Sequence, residues 1–262
     1  SAKMLDIVLG CYWMTKIIPG EKGEGKIFSS PNSAITAFDF GEVKFRASIK
    51  VLATDTPKYK EFNEKIFETS VGRLLFNSVI PSDYPFINCE INRKKMTALI
   101  DDLIEKYGMN NIADILDKIK DFGFKYATYS GITWGIDNIK EPEQKKTIID
   151  SAQKKYNEVL SHWNEGLLSN DEKHRKTIEI WQGVKNEIEK VIPDSLEKDG
   201  STYDMLYSGA RGSVSQITQM AGIKGLIINT AGETIEFPIL SSYKVGLTPI
   251  EYFITIHGSR KG

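Results

Sequence analysis

Three patterns in the 262-residue sequence predict an α+β fold, a mixed small-sheet and helical body with a projecting antiparallel coiled-coil hairpin. Apolar residues alternate with polar ones in short runs before residue 52 and recur at helical spacing between residues 94 and 122. They settle into a 3-4-3-4 seam between residues 141 and 192. With 40% hydrophobic and 26% charged residues the composition is that of a folded soluble protein, and the length suits one large domain or two modest ones.

The first 140 residues read as mixed α and β. Lys26-Ile27-Phe28 and the stretch from Val43 to Val51 carry the period-two pattern of half-buried strands. Asp55 to Lys60, with Pro57, is a polar turn, and Val71 to Asn77 leads into a loop marked by Pro81 and Pro85. Met96, Leu99, Ile100, Leu103 and Ile104 predict a helix from Lys94 to Tyr107, and Ile112, Ile115, Leu116 and Ile119 a second from Asn111 to Phe122. Asp101 and Asp102 are neighbours, and neighbours on a helix diverge by about 100°, so they read as a solvated face rather than a catalytic pair.

The hairpin follows. Ile149, Ala152, Tyr156, Val159 and Trp163 form one seam and Ile178, Trp181, Lys185, Ile188 and Ile192 another, separated by Asn164-Glu165-Gly166. Ser169 with Glu172 three residues later is a capping box that opens the second helix, and Pro193 closes it. Residues 140–198 hold 11 basic and 12 acidic side chains, so the outer faces are solvated and mixed in sign. A hairpin packed within the body is the alternative to a projecting one.

Residues 207–262 change character, with eight charged residues and eight of the 21 glycines in 56 positions. Ser208-Gly209-Ala210-Arg211-Gly212-Ser213 precedes a helical pattern at Val214 and Ile217. Small residues at a helix start with one arginine suit a phosphate, with amides pointing outward and a guanidinium fork beside them; a plain glycine turn is the other reading. His257, Arg260 and Lys261 share a helix face, which suits an anion such as a nucleic-acid backbone or a solvated basic helix end.

Several classes are excluded. The net charge is −1, so bulk charge points to no polyanionic partner. Cys11 and Cys89 lie far apart, which leaves no structural zinc site or disulfide framework and reads as two reduced thiols of a cytosolic protein. No apolar run approaches the ~20 residues of a membrane span. Neither a P-loop, a GxGxxG, an HExxH nor a GxSxG is present, so no self-contained active site, and no metal site, is legible. The chain starts on Ser1-Ala2-Lys3 without a signal peptide and stops at Lys261-Gly262, and both ends read as cut.

One resemblance is specific. The run from Ser208 to Ser213, continued by Gln216 to Leu226, then Phe237-Pro238-Ile239, Gly246-Leu247, Glu251-Tyr252-Phe253 and His257 to Gly262, resembles the β′ subunit of bacterial DNA-dependent RNA polymerase. Asp6 to Gly10, Gly23-Glu24-Gly25, Val71-Gly72-Arg73, Phe76-Asn77, Lys118-Ile119-Lys120, Gly123-Phe124, Ala127-Thr128, Ser130-Gly131-Ile132 and Ile180-Trp181 match in the same order, so the likeness covers the whole chain.

The resemblance implies a multi-domain fragment of a larger subunit. Residues 1–140 would be the pore domain of the secondary channel through which nucleotides reach the active centre, and 141–206 the funnel or rim helices where secondary-channel transcription factors dock. Residues 207–247 would be a helix and loop beside the active centre, and 248–262 the start of the bridge helix. Arg211 becomes the expected contact for the nucleoside triphosphate, and His257, Gly258, Arg260, Lys261 and Gly262 become nucleic-acid-binding or gating positions, with glycines that let a helix bend.

No catalytic or metal-binding residue is expected in the segment, because the family's Asp-Phe-Asp-Gly-Asp run would lie upstream of residue 1; Mg2+ in the assembled enzyme would have ligands outside this chain. The implied partners are the β, α and ω subunits, the remainder of β′, the DNA template and RNA, in a cytoplasmic, nucleoid-associated complex without a membrane. Leu5, Tyr207, Thr218 and Lys224 depart from the family's usual residues and thin the charge near the site. A stand-alone regulator-docking module without a catalytic role is the competing reading.

Overall fold

A computed structural model describes residues 5–63, 65–229 and 231–259, with side chains through residue 256. It divides into two compact units, residues 1–133 with 203–211, and residues 134–202 with 212–262.

The first unit is built around helix α1, Leu5–Thr15, which has buried positions on nearly every side, from Ile7 and Val8 to Cys11, Tyr12 and Met14. A helix apolar all round has no period to read, which is why the sequence pattern did not reveal it. It packs along helix α4, Arg93–Ser130. The two backbones meet at a glycine pair: a Cβ on Gly10 would sit 2.0 Å from the carbonyl oxygen of Gly123. α4 is two helical stretches joined at Gly108, whose φ of 73° and ψ of 163° are not helical. This is the boundary expected between Tyr107 and Asn111, but the second stretch runs on past Phe122 to Ser130, because Phe122 and Tyr126 continue its buried face.

The sheet has three strands, β1 (Ile27–Phe28), β2 (Ile49–Leu52) and β3 (Ile66–Thr69), in the order β1-β2-β3. β1 runs parallel to β2 and β2 antiparallel to β3, with Val51 opposite Phe67. Alternation holds in β2, where Ile49 and Val51 are buried and Lys50 and Leu52 are exposed. The expected strand at Val43 to Val51 is therefore real only at its end. Before it, the Lys44 amide donates to Lys22 and the Ala47 amide to Lys44, so that backbone is spent on turns. Helix α2, Pro31–Asp39, is opened by a Ser30–Ser33 capping box, a pairing without the Glu or Gln that usually marks one in sequence.

Helix α3, Val71–Val79, completes the unit, and its family-like residues have structural work. Arg73 donates from Nε to the Thr15 carbonyl at 2.9 Å and from Nη1 to the Asn88 carbonyl at 3.2 Å. Asn77 exchanges hydrogen bonds with Ile87, and buried Lys58 donates to the carbonyls of Asn77 and Ile80. Burial lowers the pKa of Lys58 and of Arg73, and it pushes the Cys11 thiol up to about 12, so Cys11 is inert core material.

The second unit contains the hairpin, helices α5 (Lys145–Asn164) and α6 (Asn170–Ser195). Trp163 Nε1 donates to Asn170, the Tyr156 ring lies 5.9 Å from Trp181, and Ala152 and Val184 line one groove, so the helices run antiparallel. The capping box is present, with the Glu172 amide donating to Ser169 Oγ and the Ser169 amide donating to Glu172. Pro193 sits inside the last turn rather than ending it, and the helix closes at Ser195 with the Leu196 amide donating to the Pro193 carbonyl. The first seam ends at Val159, because Trp163 is exposed at the turn, while Trp181, Ile188 and Ile192 of the second are buried.

α6 is covered on a further side by helix α8, Val214–Ile217, and the π-helical turn Thr218–Gly222 that continues it. A Cβ on Gly222 would fall 2.6 Å from Ile188 Cγ2, so this contact depends on glycine. A short antiparallel hairpin follows, with bridges Gly225–Ile239 and Ile228–Thr234, and the described chain closes in helix α9, Pro249–Ser259.

Candidate functional site

Arg211 lies just beyond helix α7, Ser201–Ser208, on a turn where Gly209 has φ 74° and Gly212 φ 90°. L-residues with a Cβ avoid that region, so the glycines are what let the chain reverse there. Three amides of this turn are taken up within the chain. Gly209 donates to the Leu206 carbonyl at 3.1 Å, Ala210 to Ser208 Oγ at 3.2 Å and Arg211 to the Met205 carbonyl at 3.3 Å. Of the amides expected to point at a phosphate, these three are turned inward: two reach carbonyls at the C-terminal end of α7 and one reaches the Ser208 hydroxyl. The Arg211 side chain is exposed and has no ion pair among the described residues.

Tyr207, where the resemblance expects an acid, is exposed and stacks on Tyr203 at 4.0 Å. The acid of this helix is Asp204, buried one turn earlier and bound to Lys16. Thr218 is buried and donates to the Val214 carbonyl at 2.9 Å, and Lys224 donates to Gln219 at 2.8 Å and lies over the Tyr243 ring. Asp101 and Asp102 are both exposed, and Asp102 accepts from the Tyr84 hydroxyl.

In the second unit, Glu236 on the Gly225–Ile239 hairpin accepts from Lys173 and faces His174 Nδ1, each at 2.9 Å. Burial pushes the Glu236 carboxyl up, and hydrogen bonds from Lys173 and His174 outweigh it, leaving the pKa below the ordinary value. The resemblance starts a helix at residue 248, at the start of α9, but the cap that opens it went unread. There Glu251 accepts from the Thr248 amide at 2.9 Å and the Thr248 hydroxyl accepts from the Glu251 amide at 3.3 Å. The Thr-Pro-Ile-Glu run is a capping box with proline at the first helical position, a legible signal. Burial raises the Glu251 pKa, and hydrogen bonds from Thr248 and Ser241 more than offset it, so the carboxylate is held ionised.

His257 and Gly258 fall within α9, their side-chain surroundings outside the described residues, and Arg260, Lys261 and Gly262 lie outside them altogether. Among the described residues no three His, Cys, Asp or Glu side chains gather as metal ligands, and no helix is long and apolar enough to cross a membrane.

Two family models match the chain. Residues 3–139 match RNA polymerase Rpb1, domain 3, and residues 149–251 match RNA polymerase Rpb1, domain 4. The chain belongs to the RNA polymerase Rpb1 family. It is similar to DNA-directed RNA polymerase subunit beta' of Thermobifida fusca, 40% identical over 98% of this chain and 21% of that protein. The subunits of the same name from a Sulfurihydrogenibium species and Fusobacterium nucleatum are 39% and 37% identical over 98% of this chain, and 16% and 19% of their own lengths. The chain thus spans about a fifth of the length of the curated relatives it matches.

Proposed function

We propose that this chain is an internal segment of a DNA-directed RNA polymerase β′ subunit and takes part in RNA synthesis from nucleoside triphosphates on a DNA template. The carrying observation is the unbroken likeness, 36–40% identity over 98% of the chain. Residues 1–140 line the channel by which nucleotides reach the active centre, and 207–247 border that centre. The α5–α6 hairpin receives transcription factors at the channel mouth. α9 opens the bridge helix, with His257, Gly258, Arg260, Lys261 and Gly262 as its nucleic-acid-facing or bending positions.

Within this reading Arg211 contacts the triphosphate through its guanidinium alone, since its own amide and those of Gly209 and Ala210 are spent on α7. An exposed cation without an ion pair is free to form a bidentate bond with phosphate. Mg2+ of the assembled enzyme is held by ligands outside the chain, and the described residues offer no metal-ligand cluster of their own. Ile250, Tyr252 and Phe253 of α9 are 65%, 58% and 70% exposed, which supports burial of this helix against the remainder of β′ or the β, α and ω subunits. The complex belongs in the bacterial cytoplasm, at the nucleoid.

The test is promoter-independent transcription by polymerase assembled from β′ fragments with and without this segment. Synthesis is expected only with it; equal synthesis without it would favour the stand-alone docking module.

A further inference from the structure

The side chains of α7 that are fully buried are Thr202, Asp204 and Ser208, at 4%, 2% and 0% exposure, and none is apolar. Thr202 Oγ1 has no hydrogen-bond partner among the described residues and Ser208 donates to Met205 within the helix, so of the three it is Asp204 that ties α7 to a neighbouring element. Asp204 Oδ1 lies 2.6 Å from Lys16 Nζ, with side chains 3% and 6% exposed. The same ammonium stands 4.8 Å from the centre of the Tyr203 ring. One cation at the end of α1 therefore holds two consecutive residues of α7.

That end of α1 is itself fixed. The Thr15 carbonyl accepts from Arg73 Nε at 2.9 Å, and the Thr15 hydroxyl donates to Cys11 at 2.7 Å and accepts from the Ile91 amide at 2.9 Å. At the other end of α7 the three successive amides of Gly209, Ala210 and Arg211 fold back onto the helix. A continuous chain of directional contacts thus runs from α1 through Lys16 and Asp204 to the turn that carries Arg211.

We propose that the buried Lys16–Asp204 pair is a positioning device that sets the rotation of α7 and with it the reach of Arg211. The kinetic part rests on the reading of Arg211 as a phosphate contact. A buried ion pair gives little net stability compared with an apolar pair of the same size, but its geometry is directional. Misplacing a contact residue by a fraction of its bond length is enough to weaken the contact it makes.

The experiment uses assembled polymerase with the full-length subunit, carrying Asp204→Asn or the double change Lys16→Met with Asp204→Asn, which removes both charges together. The nucleotide KM is expected to rise about three- to tenfold with the saturating rate within about twofold, and the rise to vanish in an Arg211→Ala background. Hydrogen exchange at the amides of residues 209–211 is expected to quicken in both variants. A KM rise in Arg211→Ala with wild-type KM and exchange in the pair variants overturns the positioning role and leaves the phosphate contact standing. An undiminished effect of the pair variants in the Arg211→Ala background overturns it as well. Unchanged KM in Arg211→Ala overturns the phosphate contact instead. In that case unchanged exchange overturns the turn-setting role, and faster exchange supports it.

Discussion

In the first unit α1 crosses α4 with Gly10 against Gly123, and apolar side chains from Ile7 to Met14 fill the space around the crossing. In the second unit α6 also meets a glycine, Gly222 at Ile188, and the segment beyond it buries Ile223, Ile227 and Ile239 but adds polar ties, Glu236 to Lys173 and His174, and Glu251 to Thr248 and Ser241. Apolar close packing tolerates almost no added volume, whereas polar ties can open and re-form at modest cost. The difference places stiffness around α1 and adjustability in the loop and helix that the proposed function sets beside an active centre.

The largest effect should come from Gly10→Ala, whose methyl would lie 2.0 Å from the Gly123 carbonyl oxygen. Separating the two helices is expected to cost about 3 kcal/mol or more, read as loss of soluble full-length subunit and failure to assemble. A variant that assembles normally would break the comparison on the stiff side. On the adjustable side, Thr248→Ala removes the side-chain cap of α9 and is expected to cost about 1 kcal/mol, read as faster amide exchange in its first turn.

Glu251→Gln sharpens the same point through pH. The folded carboxyl pKa is depressed, so its contribution is present above the ordinary carboxylate range and is lost as pH falls through the lowered folded value. Protection at residues 241–252, corrected for intrinsic exchange, should differ between Glu251→Gln and wild type near neutrality. The two should converge only below the pH at which an ordinary glutamate titrates. The smallest effect is expected from Glu42→Ala, whose partner Lys26 lies 3.3 Å away with both side chains well exposed. A change within about 0.5 kcal/mol, measured as subunit stability, fits an exposed pair screened by water.

The α5–α6 hairpin was legible because its seams and the Ser169–Glu172 box are local signals that the tertiary structure reinforces. α1 was not, since a helix buried on all sides carries no period, and β3 was not, since four residues including Glu68 fall below any pattern. At the candidate site the residue type of Arg211 and the glycines of its turn could be read. The use of the turn amides within α7 could not, because those bonds depend on where α7 ends. Nor could the Lys16–Asp204 pair, whose members lie 188 positions apart. The family-like Arg73 and Asn77 turned out to hold loops together, which shows that a matched motif can mark architecture as readily as chemistry.

The central claim, that Arg211 reaches the phosphates of an incoming nucleotide, is tested most directly by the nucleotide KM of assembled polymerase carrying Arg211→Ala. Loss of a charged hydrogen bond, about 1.5–3 kcal/mol, predicts a KM about ten- to 150-fold above wild type. A KM equal to wild type at full assembly would contradict the account and leave Arg211 as the exposed end of a glycine turn.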